Sequence, residues 1–425
     1  MRIAIVNGKV LDPASGSDQP VARSAYIENG LLTEALSAAA DKVIDANGLF
    51  VFPGLVDAHC HLRDPGQEYK EDIISGTQSA ARGGFTTVAC MPNTSPVCDH
   101  AALVRYILDK AAREGYTRVL PIGAVSKGQQ GRELAEIGLM AQAGIVAVSD
   151  DGHPVETADL MRKAMLYASQ FGLAVVSHCE DMSLSEGGHM NEGIWSTILG
   201  LQGIPAASES IMVDRDCQLA AATGLPVHIA HVSSRESVRI IRDAKMRGIP
   251  VTAETCPHYF ALTEAACNGF NTNAKMNPPL KTADDVESII SGLIDGTIDI
   301  IANDHAPHHS DEKELEFALA KNGIVGFETA LGLGYTILVK TGRLSLVQWL
   351  RTMTTRPAAL LKQPLGTLEA GRPADVVLVD LDHTWRFDRD RMASKARNTP
   401  FHGMTLYGRA MLTICGGRIT HDELC

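Results

Sequence analysis

The chain has 425 residues, with 38 Lys and Arg against 50 Asp and Glu, a formal charge of −12, and 45% hydrophobic positions. That balance excludes a disordered, collagen-like or coiled-coil chain, and it argues against a nucleic-acid groove or an anionic membrane as the main partner. At about 150 residues per domain the length suggests two or three domains, although an α/β barrel takes up about 250 as one.

The chain opens with Ile3-Ala-Ile-Val6 and then Asn7-Gly8, a strand running into a tight turn. Its apolar run is too short for a signal peptide, and no stretch reaches the roughly 18 apolar residues of a spanning helix. Nine cysteines, an odd number with no Cys-x-x-Cys pair, read as reduced thiols. A cytoplasmic protein is expected. Short apolar runs then follow at 51–58, 86–91, 118–123, 145–149, 173–177, 226–230, 249–253 and 298–302. Each is rich in Val, Ile and Ala and flanked by Gly or Pro, as buried parallel strands are. Between them, stretches such as 101–114, 158–171 and 234–247 carry apolar residues at helical spacing. Eight strand–helix units predict a (β/α)8 barrel of the TIM type. An open doubly wound sheet is the rival, but its Gly-rich phosphate loop is missing.

Further strands are expected at 376–379 and 411–415, the latter before Gly416-Gly417. The two flanks read as short antiparallel strands that pair into one small β-sandwich domain, 1–52 plus 366–425. The barrel would occupy 53–365.

The histidines and aspartates fall at the ends of the runs. His59 and His61 close the first, Asp150 and Asp151 follow the fourth, His178 ends the fifth, His231 the sixth and Asp304 the eighth. Barrel active sites lie at the C-terminal ends of the strands, so these side chains share one rim. On a strand, positions i and i+2 share a face, which turns His59 and His61 inward and Cys60 outward. Imidazole and carboxylate without thiolate suit a catalytic zinc or similar divalent ion, and six donors suffice for two ions. Periodicity does not choose between Asp150 and Asp151. His228, three residues before His231, reads as a packed residue on the other face. His153, His189, His309, His383, His402 and His421 default to the surface, and Cys60 and Cys179 to core packing.

The motifs Asp57-Ala-His-Cys-His-Leu-Arg-Asp-Pro65, Met91-Pro-Asn-Thr94, Ser149-Asp-Asp-Gly152, Met276-Asn-Pro-Pro-Leu-Lys281 and Asn303-Asp-His-Ala-Pro-His308 resemble those of the dihydroorotases in the amidohydrolase superfamily. The resemblance spans most of the chain. It implies a binuclear zinc site in a barrel, a β-domain from both chain ends, and reversible cyclisation of N-carbamoyl-L-aspartate to L-dihydroorotate in pyrimidine synthesis. Many relatives carry a carboxylated lysine after the fourth strand. Here Asp150 and Asp151 stand there, which resembles the bacterial, longer-chain type and makes Asp151 the bridge between two zinc ions.

By position, the resemblance gives His59, His61 and Asp304 to the first zinc, and His178 and His231 to the second. It gives Arg63, Asn93 and His308 to the substrate carboxylate, with His61 also facing the substrate. Asn277 and the backbone at Asn322 and Gly323 would hold the ring amides. Arg63 and His308 would supply local positive charge for an anionic substrate. A metal-activated hydroxide would be the nucleophile and Asp304 the general base and acid. Asn303 and Asn322 depart from the family pattern, which usually has Ser or Thr, and Phe, respectively. The charged stretch Asp311–Lys321 reads as a candidate mobile loop. Thr255-Cys-Pro-His-Tyr259 is closer to hydantoinase and allantoinase chains, the runner-up activity. A non-catalytic dihydroorotase-like partner of aspartate transcarbamoylase ranks below, because all six ligands are present. A homodimer is the expected assembly, and association of the active enzyme with the transcarbamoylase stays open.

Overall fold

The apolar run expected as one strand over 51–58 divides at Gly54 in the computed structural model, which describes residues 1–424. Phe50–Pro53 joins a sheet of the chain termini, whereas Leu55–Cys60 opens the barrel. A Cβ on Gly54 would lie 2.2 Å from the Thr86 hydroxyl, so the close approach of these neighbouring segments demands glycine.

The other barrel strands are Phe85–Cys90, Arg118–Gly123, Ala147–Ser149, Ala174–Ser177, Val227–Ile229, Val251–Thr255 and Ile300–Ile301. All eight are parallel and lie side by side in chain order. The ring closes where His61 N–H donates to the His305 carbonyl and Asp304 N–H donates to the His59 carbonyl, both at 2.9 Å. The closing seam therefore carries three of the expected metal-binding residues. Inside, Val56, Ala89, Met91, Leu120, Ile122, Ala147, Val176 and Ala230 pack with Leu361. Truncating Leu361 to alanine would cost about 2–5 kcal/mol through the cavity left behind.

The helical stretches form where the spacing placed them, at Ala101–Glu114, Ala158–Ser169 and Arg235–Met246. The hydroxyls of Thr157 and Ser234 cap the last two by accepting from Leu160 and Ser237 N–H.

The terminal domain is a sandwich of a four-stranded and a six-stranded sheet. Phe50–Pro53 pairs antiparallel with Val376–Arg386, which ties the two chain ends together. Ile3, Ile5, Ile27, Val51, Val376, Leu412 and Ile414 fill its core. The expectation of short antiparallel strands needs correcting in two respects. Arg2–Val6 pairs parallel with Lys42–Asp45, and Lys9–Val10 parallel with Phe50–Val51. Val376–Arg386 and Thr405–Cys415 each run 11 residues, with register shifts that let them bend over the barrel. No described helix is long and apolar enough to cross a membrane.

Candidate metal centre

The register of the first barrel strand breaks between Asp57 and Cys60. Ala58 packs inside with Ile300 and Ala302, and His59, within the break, and His61, beyond it, also reach inward. Cys60 turns out into the packing between barrel and helices, as Cys179 does. The backbones of Arg63, His231 and Asp304 all have positive φ, at 59°, 35° and 43°. Such strain costs on the order of 1–3 kcal/mol per residue and persists where surrounding structure imposes it, commonly at functional sites.

Asp151 is the centre of the rim. Its carboxylate lies 3.3 Å from His59 Nε2, 3.5 Å from His61 Nε2, 3.5 Å from His178 Nδ1 and 3.4 Å from His231 Nε2. His59, His61 and Asp151 form one donor group and Asp151, His178 and His231 another, so the carboxylate is common to both. Asp304 joins through His61 Nε2 at 2.9 Å and His59 Nε2 at 3.7 Å. The six residues read from the strand ends thus converge. Asp150 is not among them. It turns back to accept from the backbone N–H groups of Val125 and Ser126 and from the Ser126 hydroxyl.

These donors fit a metal. His59 Nε2 and His231 Nδ1 are buried without a hydrogen-bond partner, and His178 Nδ1 and His231 Nε2 approach to 2.8 Å. Burial opposes charge on His59, yet Asp151 and Glu254 outweigh it and hold the imidazole well above its ordinary pKa. Burial likewise favours neutral Asp151, but His59, His178 and His231 hold its carboxyl well below the usual range. The site therefore calls for positive charge at its centre, which a divalent cation supplies without protons.

Two carboxylates escaped the sequence reading. Glu254 accepts from His59 Nδ1 at 2.7 Å and from His228 Nε2 at 3.2 Å, and Thr252 faces the other nitrogen of His228 at 2.8 Å. His228 is packed, as expected, but not on a separate face: it shares Glu254 with His59. The apolar run had seemed to stop at Ala253, whereas the strand continues to Thr255. Alternation from Thr252 would have found Glu254. Glu180 takes His178 Nε2 and Asn277 Nδ2, each at 3.0 Å, and these contacts overcome burial to hold its carboxyl at about 2.

A cavity of about 300 Å³ opens over the rim, with Arg63, Asn93, Asn277, His308 and Asn322 in its wall. His153 is exposed, as expected, but stands at this mouth. Arg63 is buried, gives its Nε–H to the Pro307 carbonyl at 3.2 Å, and forms no ion pair among the described residues. Asn93 Oδ1 accepts from His61 Nδ1 at 2.8 Å. His308 corrects the expectation of local positive charge. Burial, with Arg63 and Lys70 alongside, pushes its imidazole down to about 3, so it is neutral near pH 7. The cationic side chains of this wall are Arg63 and Lys321.

Gly323 does not line the cavity, because its N–H donates to the Lys275 carbonyl and its own carbonyl accepts from Asn398. The Lys275 ammonium holds the Phe317, Ala318 and Ala320 carbonyls, which ties the charged stretch after His308 to the barrel. Asn303 bonds Asp57 through its backbone N–H, while both polar atoms of its side chain are buried without partners.

A family model described as "Dihydro-orotase-like" matches residues 48–237. A dihydroorotase of Acetivibrio thermocellus is 55% identical over 422 residues, 99% of each chain. One of Ruminiclostridium cellulolyticum is 55% identical over 98% of each. Among solved structures, the L-hydantoinase (dihydropyrimidinase) of Arthrobacter aurescens superposes with a TM-score of 0.89 at 25% identity, covering 99% of this chain and 96% of its own.

Proposed function

The chain belongs to the dihydroorotase family, and from that premise we propose that its rim residues interconvert N-carbamoyl-L-aspartate and L-dihydroorotate. It is a hydrolase acting on the C–N bond of a cyclic amide. The observation that carries the residue-level reading is the sharing of Asp151 between two histidine pairs, beside an unpaired buried arginine.

Two zinc ions would be held at the rim, one by His59, His61, Asp151 and Asp304 and the other by Asp151, His178 and His231. Bound there, they would lower the pKa of water from about 15.7 toward about 7 and polarise the amide carbonyl. In the ring-opening direction Asp304 accepts the proton of the attacking water and returns it to the departing ring nitrogen. Ring closure runs the same transfers backwards. Arg63 offers a planar pair of N–H donors to the substrate carboxylate, and no acidic side chain among the described residues forms an ion pair with it. Asn277, held by Glu180, presents its amide to the ring together with Asn322. Glu254 and Asn93 fix the outer nitrogens of His59 and His61, so that each ring points its Nε2 into the site. Residues 1–52 with 366–425 make the terminal domain and 53–365 the barrel. A cytoplasmic homodimer accords with the family.

Comparing turnover of dihydroorotate, hydantoin and allantoin tests this reading. Dihydroorotate, the carboxylate-bearing ring, is expected to be turned over fastest. Faster turnover of hydantoin or allantoin would assign the site to another cyclic amide.

A further inference from the structure

Asp304 belongs to a second donor group that the reaction does not use. The thiol of Cys256 and the imidazole of His258 stand with it, one donor atom from each lying within 4.8 Å of the others. All three side chains are buried, at 0%, 2% and 4% exposure. Cys256 follows the seventh barrel strand, and Pro257 starts the short helix that carries His258, so this turn brings thiol and imidazole to the same place.

His258 Nε2 has no hydrogen-bond partner there. A buried ring nitrogen left bare is uncommon and marks a place where a partner fits. The chemistry of the donors says which partner. Thiolate, imidazole and carboxylate together select a thiophilic ion of the zinc class, whereas hard ions such as magnesium prefer all-oxygen sites. The two histidine groups around Asp151 contain no sulfur, so this third group differs from them in kind.

We propose that Cys256, His258 and Asp304 form an inhibitory site for a thiophilic divalent cation, namely excess zinc, cadmium or mercury. Binding forms a sulfur–metal bond and releases the thiol proton to solvent, with no change in oxidation state. It draws the Asp304 carboxylate onto the ion and so withdraws it from proton transfer. The inhibition rests on the proposed role of Asp304, whereas the binding does not. Asp304 lines the cavity and the other two do not, so the ion enters past Asp304 and bound substrate obstructs it.

Cadmium titrated into the metal-loaded enzyme tests this. One further ion per chain is expected to bind, with a cadmium–thiolate absorption band that grows in step with the loss of dihydroorotate turnover. Dihydroorotate should slow both changes. Cys256→Ser should retain basal turnover and lose the band and the inhibition, and His258→Gln should shift both to higher cadmium. Should Cys256→Ser not fold, Cys256→Ala replaces it, and X-ray absorption at the cadmium edge of the unaltered enzyme reads the sulfur ligand directly. A band that survives in the Cys256 variant, or one that leaves turnover intact, overturns the proposal. Absent turnover before any cadmium is added would count against the assigned activity instead, and the band would still report on the site.

Discussion

Glu254 accepts the Nδ1–H of His59 at 2.7 Å, which leaves Nε2 of that ring to face Asp151 at 3.3 Å. A carboxylate behind an imidazole fixes its tautomer and raises its basicity as a ligand. Glu254→Gln keeps a side chain of the same size but removes the charge. Metal affinity is expected to fall about 10- to 100-fold, measured by competition with a chelator. Unaltered affinity would reduce Glu254 to a packing residue.

Asp304 sits 2.9 Å from His61 Nε2 and lines the cavity. Asp304→Asn retains an oxygen donor but accepts no proton, so the variant should keep metal while turnover falls about 10²–10⁴-fold. Steady-state rates with metal content measured on the same samples decide it. Near-normal turnover removes Asp304 from proton transfer.

Arg63 is buried, cationic and without an ion pair among the described residues, a costly arrangement unless an anion arrives. Arg63→Met should lower kcat/KM for dihydroorotate about 10- to 100-fold, the loss of one or two charge-assisted hydrogen bonds. Arg63→Lys should recover little, because an ammonium does not reproduce the planar fork. Rates unchanged in Arg63→Met would show that the carboxylate is held elsewhere.

His308 gives a pH dependence with a definite sign. Its folded-state value of about 3 lies below the ordinary 6.5. Between those values the unfolded chain binds the proton and the folded chain does not, so this group's contribution to stability rises with pH across the window. Acidification through it should destabilise the wild type more than His308→Gln, whose side chain does not titrate. Denaturant midpoints of both proteins at several pH values measure the difference. Parallel curves would mean that His308 is protonated in the fold as readily as in the unfolded chain.

Much of the barrel and its rim is legible in the sequence. Buried parallel strands are continuous apolar runs, and a polar side chain just past the end of such a run stands at the barrel rim, so the rim positions of His178, His231 and Asp304 are legible there. Other features were hidden for physical reasons. Phe50–Pro53 and Leu55–Cys60 are equally apolar, and only the contact of Gly54 with Thr86 assigns them to different sheets. Glu254 is an isolated acid in a polar pair of residues, and its meaning depends on His59, 195 positions away. The neutrality of His308 depends on Arg63 and Lys70 being packed around it, which spacing along the chain does not express. Periodicity leaves Asp150 and Asp151 open and the resemblance chooses Asp151; the physical reason lies in the backbone donors of Val125 and Ser126, which claim Asp150.

The central claim is that one carboxylate, Asp151, joins two histidine pairs into a binuclear site for dihydroorotate chemistry. Metal analysis of the purified protein, coupled to assays in both directions, tests it most directly. Two zinc ions per chain with interconversion of N-carbamoyl-L-aspartate and L-dihydroorotate is the result expected. Absence of bound metal together with absence of turnover, in a folded protein supplied with zinc, would contradict it.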